Sequence, residues 1–177
     1  MLFWLITGLA LATEPLAPVT PVSVYGGLSA QVGSPSVGGG VQGGFVWRTS
    51  PKWAVDIGTR ETIVTSDPRW LTGIRVIGRY QMGRTWVGGG LAHFHEVNLD
   101  DALSSPLLAV IGSLPEIVHR SGLELNAGVS GRIPVLDWKR WGWQSQVSVS
   151  LFPDPFGPRA YLSLDGAITL DIGKVKP

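Results

Sequence analysis

The chain has 177 residues, 44% of them hydrophobic and 15% charged, which fits one folded domain and excludes a disordered polyelectrolyte. Fourteen basic against thirteen acidic side chains give a formal net charge of +1, too little excess charge to steer phosphate backbones, so nucleic acid is not an expected partner. The absence of cysteine removes disulfides, thiolate chemistry, Cys-based zinc sites and lipid attachment through an N-terminal cysteine.

Residues 1–12 are almost continuously apolar and end in Ala10-Leu11-Ala12, a small-x-small pattern that suits signal peptidase. The run stops at Glu14, short of the roughly 20 apolar residues a spanning helix needs, so it reads as a signal peptide cut after Ala12. No Lys or Arg precedes the apolar core, which departs from the usual signal pattern. Residues 13–21 carry Pro15, Pro18 and Pro21, which hold the chain extended as a short tether.

From Val22 onward apolar residues recur at every second position, the period of strands, in eight segments. These are 22–32, 37–48, 53–62, 70–82, 85–97, 123–135, 141–152 and 162–172, the barrel region as a whole running over 22–173 with a tail at 174–177. In the fourth, Ile74, Val76, Tyr80 and Met82 oppose Arg75, Arg79 and Gln81; in the fifth, Trp86 and Phe94 share a face with Gly88, Gly90 and Ala92. Turn-forming sequences separate most segments, among them Gly33-Ser34-Pro35-Ser36, Thr49-Ser50-Pro51, Ser66-Asp67-Pro68 and Met82-Gly83-Arg84, so the strands connect as antiparallel hairpins. Residues 106–118 are apolar on both faces and broken by Pro115. Single-chain bacterial barrels close with even strand counts, so the choice is eight or ten; we take eight, leaving 98–122 as one excursion, a helix, plug or loop in or over the lumen.

The same alternation fits a soluble ligand-binding barrel, and three features separate the two. The four lysines, Lys52, Lys139, Lys174 and Lys176, all lie outside the strands, whereas a solvated strand face carries several. The polar face consists of Gly, Ser, Gln and Asn with single Arg and Asp residues, types that fill a narrow eight-strand interior. Aromatics sit at strand ends, and Trp47, Trp53, Trp70, Trp86, Trp141 and Trp143 read as membrane-interface girdles. Eleven residues at ~3.3 Å rise and ~40° tilt project to roughly 28 Å, enough for the ~25 Å apolar band. The fold class expected is therefore all-β, a closed antiparallel up-and-down transmembrane barrel.

The exit signal Ala10-Leu11-Ala12, the two-faced strands from Val22 to Ile172 and the tryptophan girdle together resemble the small OmpA/OmpX-type outer-membrane barrels of bacteria. The resemblance is architectural, spans about nine-tenths of the chain and implies an outer-membrane location, contact with membrane lipid and insertion by the barrel-assembly machinery. It implies a structural, adhesive or narrow-pore role without catalysis. The chain departs from that pattern at its end, where Lys174-Val175-Lys176-Pro177 replaces the terminal aromatic strand such proteins show.

Candidate chemistry is sparse. Asp56, Arg60, Arg75, Arg79, Glu124, Arg132, Asp165 and Asp171 fall on polar faces with both signs mixed, so pairing across the lumen is the plain expectation. His93, His95 and Glu96 are weak metal-ligand candidates, since strand residues i and i+2 share a face, but no third ligand is visible locally. His119 reads as a solvated turn residue. No cofactor is implied. Two alternatives remain: a soluble periplasmic lipocalin-like barrel around an apolar ligand, and a barrel-borne hydrolase resembling lipid A deacylases, for which His93-Phe94-His95-Glu96 with Ser104 and Ser105 is a poor match.

Overall fold

Strict alternation over 11 to 15 residues, broken by short turn sequences, leaves each segment one energetically sound option: pair on both sides and turn its two faces to different surroundings. The computed structural model describes residues 21–33, 37–65, 68–133, 140–153 and 159–172 and follows this rule throughout. The strands are β1 (Val22–Gly33), β2 (Val37–Arg48), β3 (Trp53–Val64), β4 (Arg69–Met82), β5 (Thr85–Asn98), β6 (Val118–Arg132), β7 (Trp141–Phe152) and β8 (Arg159–Ile172). Each pairs antiparallel with its sequence neighbours, and β1 pairs with β8, from Val22 opposite Ile172 to Gly33 opposite Tyr161. The result is a closed eight-stranded up-and-down barrel. Residues 1–12, read above as a signal peptide, most of residues 13–21, read as a tether, and the tail at 174–177 lie outside the described residues.

Closure fixes which way every side chain points. Leu28, Val41, Ile57, Val76, Leu91, Leu123, Leu151 and Leu164 face outward, whereas Ser29, Gln42, Asp56, Arg75, Glu124, Ser150 and Asp165 face a narrow interior and are buried. Leu28 is 71% exposed while Asp56 is 0% exposed, the reverse of a water-soluble fold. The sidedness is that of a barrel whose solvent is hydrocarbon. The β4–β5 hairpin turns at Gly83-Arg84 with Gly83 at φ 66°, a left-handed conformation that glycine adopts without a side-chain clash.

The stretch between β5 and β6 contains no strand, but it differs from expectation in two ways. It forms two short helices, α1 (Leu99–Ser104) and α2 (Pro106–Ile111), and β6 begins at Val118, five residues before the alternation becomes legible. The helices do not plug the lumen. Ala102 and Ala109 pack against Val97, with Trp70, Leu114 and Ile117 around them, and Trp70 and Val97 belong to the outer face of β4 and β5. The excursion therefore folds down over the outside of the wall. Asn98 caps α1 by accepting the Asp100 amide at 2.9 Å, Asp100 and Asp101 sit in its first turn, and Pro106 opens α2. The sides of the helices turned away from the wall expose Leu103, Leu107, Leu108, Val110 and Ile111.

Because outward residues meet lipid in this arrangement, a charge on that face costs most at mid-strand. Val147→Arg, at the centre of β7, is expected to lower stability by about 2–4 kcal/mol, and Trp143→Arg, near the strand's start, by about 0–1 kcal/mol. Equilibrium denaturant unfolding of the protein in phospholipid vesicles measures both; equal losses would contradict the assigned depth.

Candidate functional site

The interior is filled in layers. At its centre Arg60, Arg75 and Arg79 meet Asp56, Glu124 and Asp165, three cations against three anions, every side chain 4% exposed or less. Arg60 Nη2 donates to Asp165 at 2.6 Å, Arg75 Nη1 to Glu124 at 2.9 Å, and Arg79 to Asp56. Tyr25 donates its hydroxyl to Asp56 at 2.9 Å and accepts from Arg75 at 3.2 Å, tying two of the pairs together. Gln146 donates to Asp165 at 2.8 Å and Ser150 to Glu124 at 2.9 Å. A guanidinium fork bonded to two carboxylates satisfies groups that would be costly to bury alone.

Toward the end that bears the β5–β6 excursion, Val64, Leu71, Ala92, Phe94, Phe152 and Tyr161 form an apolar layer across the lumen. Phe94 and Phe152 meet edge to face at 5.1 Å, and Phe152 and Tyr161 at 5.9 Å. At the mouth Glu96 gathers three arginines, with Arg69 at 2.9 Å, Arg120 at 2.8 Å and Arg159 at 3.6 Å. At the opposite end Asp171 pairs with Arg132 at 2.6 Å and accepts from Ser23, which in turn accepts from Arg48.

Of the eight residues assigned to a lumen ladder, the structure buries seven in the interior and leaves Arg132 at the rim with its side chain 48% exposed. Two further assignments are corrected. Trp86 is not in an interface girdle: it is 1% exposed inside the barrel, beneath the Arg79 guanidinium at 4.6 Å, because it shares the inward face with Ala92 and Phe94. Trp47, Trp53 and Trp143 do face outward, and Trp70 and Trp141 are half-buried. Glu96 cannot join the histidines, because residues i and i+1 of a strand point to opposite faces and it points inward.

The outer wall carries the second polar group, and cross-strand register builds it. Glu61, Thr72, His95 and His119 stand opposite one another in sequence across β3, β4, β5 and β6, and in the next row His93 stands opposite Ser121. Glu61 accepts from Trp70 Nε1 and from Thr72 Oγ1, both at 2.8 Å. His93 Nδ1 lies 2.7 Å from Ser121 Oγ, and His95 Nδ1 lies 3.0 Å from the Val110 carbonyl of α2. One ring nitrogen from each of His93, His95 and His119 lies within 4.8 Å of the others. The sequence offered no signal for His119 or Ser121, since 26 positions separate His93 from His119 and only the β5–β6 register unites them. Ser104 instead bonds the Asp101 carbonyl at 2.9 Å within α1. Just below the histidines an apolar groove follows the wall between Ile74, Val76, Leu91, Leu123, Leu151 and Ala160.

An antiparallel eight-stranded barrel with an ionic interior and an apolar exterior has the architecture seen in small outer-membrane barrels. Comparison with solved structures gives the same class. The Neisserial surface protein A matches at a TM-score of 0.60 and 12% identity, covering 85% of this chain and 96% of that one. The outer membrane protein OprG from Pseudomonas aeruginosa matches at a TM-score of 0.57 and 9% identity, covering 86% and 96%. No protein-family model and no curated protein sequence matches the chain.

The central network makes a direct stability prediction. Arg60→Ala leaves the buried Asp165 carboxylate with Gln146 as donor and, as a cation, Arg75 at 3.8 Å, and is expected to cost about 3–5 kcal/mol, whereas Arg132→Ala at the exposed rim should cost less than about 1 kcal/mol. Urea titrations followed by heat-modifiable gel migration would show the difference, and a loss for Arg60→Ala no larger than that for Arg132→Ala would remove the ionic core from the account of stability.

Proposed function

We propose that this chain is a bacterial outer-membrane barrel of structural or adhesive type whose lumen does not conduct. The observation that carries the proposal is sidedness: large aliphatic side chains cover the outer wall while six ionised groups fill the centre. A lipocalin-like barrel in water would need the opposite arrangement, with an apolar cavity at the centre. No helix among the described residues is long and apolar enough to cross a membrane. In this reading the crossing is made by the strands, whose outward faces are aliphatic. One solved protein of the same fold is an outer membrane protein and another a surface protein, which agrees with the reading.

The narrow-pore variant is disfavoured by the interior itself. A permeating ion would have to cross the mouth cluster at Glu96, the Phe94–Phe152–Tyr161 layer and the central guanidinium–carboxylate network. Membrane lipid is then the principal partner, and delivery requires an export signal, here assigned to residues 1–12, and the barrel-insertion machinery.

Cell fractionation followed by planar-bilayer recording tests both parts. The protein is expected in the outer-membrane fraction, extractable only with detergent, and silent as a channel. Recovery as a detergent-free soluble monomer would overturn the membrane assignment, and a steady single-channel conductance would overturn the closed lumen.

A further inference from the structure

We propose that His93, His95 and His119 form a binding site for a divalent transition-metal ion of the zinc class on the outer wall of the barrel, beneath the α1–α2 excursion. Its carrying observation is the convergence of three imidazoles from two adjacent strands, with one nitrogen from each within 4.8 Å of the others. Ring centroids are separated by 4.9 Å for His93–His95, 4.8 Å for His95–His119 and 5.7 Å for His93–His119. Three imidazoles bound tetrahedrally with Zn–N near 2.0–2.1 Å place their centroids about 5.2 Å apart. Bringing the nitrogens to the about 3.4 Å spacing of that geometry takes rotation of the rings about χ1 and χ2, with the strands left in place.

The surroundings are those of a ligand set. The Val110 carbonyl can only accept, so His95 Nδ1 is the donor and Nε2 is the nitrogen left to face a metal. His93 has its Nδ1 engaged by Ser121, which orients that ring and likewise leaves Nε2 as the coordinating atom. Gly112, at the end of α2, adds the third element. A Cβ built there would lie 2.6 Å from Cε1 and 2.8 Å from Nε2 of His95, and 2.9 Å from Cε1 of His119. Its φ of 75° also disfavours a side chain. The backbone thus passes close to the ring edges at the only residue type that leaves them free.

Location strengthens the argument. Ionisable groups on the lipid side of a barrel wall are costly without a function or a partner, and the helices above these expose an apolar surface of their own. Glu61, Trp70 and Thr72 are bonded among themselves one to two strands away, so the wall holds a polar group already satisfied beside a trio of imidazoles. Three nitrogen ligands leave coordination positions open for water or a fourth donor, and the same set accepts Ni²⁺ or Cu²⁺. The proposal does not rest on the structural or adhesive reading of function.

Tag-free, full-length protein in detergent, titrated with Zn²⁺ against a chromophoric chelator, tests the site. One equivalent per chain is expected, lost in His95→Gln and His119→Gln variants that retain the heat-modifiable migration of a folded barrel. Ser121→Ala should keep the ion with affinity lowered 10- to 100-fold, roughly the size of an outer-sphere effect. Zinc X-ray absorption on the unaltered protein supplies a readout independent of folding in the variants, with three imidazole nitrogens expected near 2.0–2.1 Å. Absence of stoichiometric uptake by the folded protein, uptake retained in both histidine variants, or an oxygen-only coordination shell would each overturn it.

Discussion

Everything in this molecule depends on β1 closing against β8. A sheet with two open edges would present rows of unpaired N–H and C=O groups, each costing several kcal/mol in hydrocarbon, and closure removes both edges at once. It also removes any freedom of register. A slip of one residue at any of the eight seams would carry Asp56 or Glu124 out into lipid and Leu91 or Leu164 into the ionic core, so the parity of each strand is held by the parity of the others.

Closure at eight strands also dictates what the interior can contain. The lumen is too narrow for several large side chains at one level, and the structure alternates bulk with absence. Tyr25 lies against Gly44 and Gly58, Phe94 against Gly73, and Trp86 against Gly128, where a Cβ would fall 2.7 Å or less from the ring or hydroxyl concerned. The charged groups are equally constrained. Three guanidinium groups and three carboxylates neutralise one another within a few ångströms, and Tyr25, Gln146 and Ser150 add hydrogen bonds, although Asp165 Oδ1 and the Nε atoms of the three arginines make none among the described residues. Such a core stabilises through its charge balance, since removing one member leaves charge that water cannot reach.

Most of the fold was legible in the sequence because period-two alternation survives in 12 to 15 residue strands whatever the contacts between them. The antiparallel order and the count of eight follow from alternation and turn residues alone, whereas the bounds of β3, β6 and β8 differ from those the alternation marks. Legibility failed where two faces met unlike surroundings in the same segment. Residues 118–122 pair in β6, yet His119 and Ser121 face outward and Arg120 faces Glu96, so no apolar alternation marks the strand's first turn of pleat. In residues 106–111 the wall takes Ala109 while Leu107, Leu108, Val110 and Ile111 stay exposed, a pattern without a polar face that periodicity cannot classify. Trp86 was misplaced for a related reason: position near a strand end says nothing about which side of the wall a tryptophan occupies, and here parity with Phe94 and Ala92 decides it. The histidine trio was half visible, since His93 and His95 share a face by their spacing but His119 joins them only through register.

The same parity that explains the core separates its chemistry from that of the outer wall. His93, His95 and His119 are on odd positions of β5 and β6, and Glu96, Arg120 and Glu124 are on even ones, so the backbone sheet stands between the two polar groups. A ligand reaching the histidines therefore approaches from the side of the barrel and not through its lumen. On the flank from β3 to β6 the wholly apolar row Ile57, Val76, Leu91 and Leu123 is followed by a mixed row, Thr59, Ile74, His93 and Ser121, and a polar one, Glu61, Thr72, His95 and His119, whereas on β1, β2 and β8 the outer surface stays apolar to Val32, Val37 and Leu162. The excursion packs on β4 and β5 within that flank, and its exposed leucines, with Val110 and Ile111, present a lipophilic face one layer further out. The two helices thus set an apolar exterior over the β4–β5 side of the polar patch, where His95 meets the Val110 carbonyl, which brings ionisable groups there closer to the sidedness on which the barrel depends.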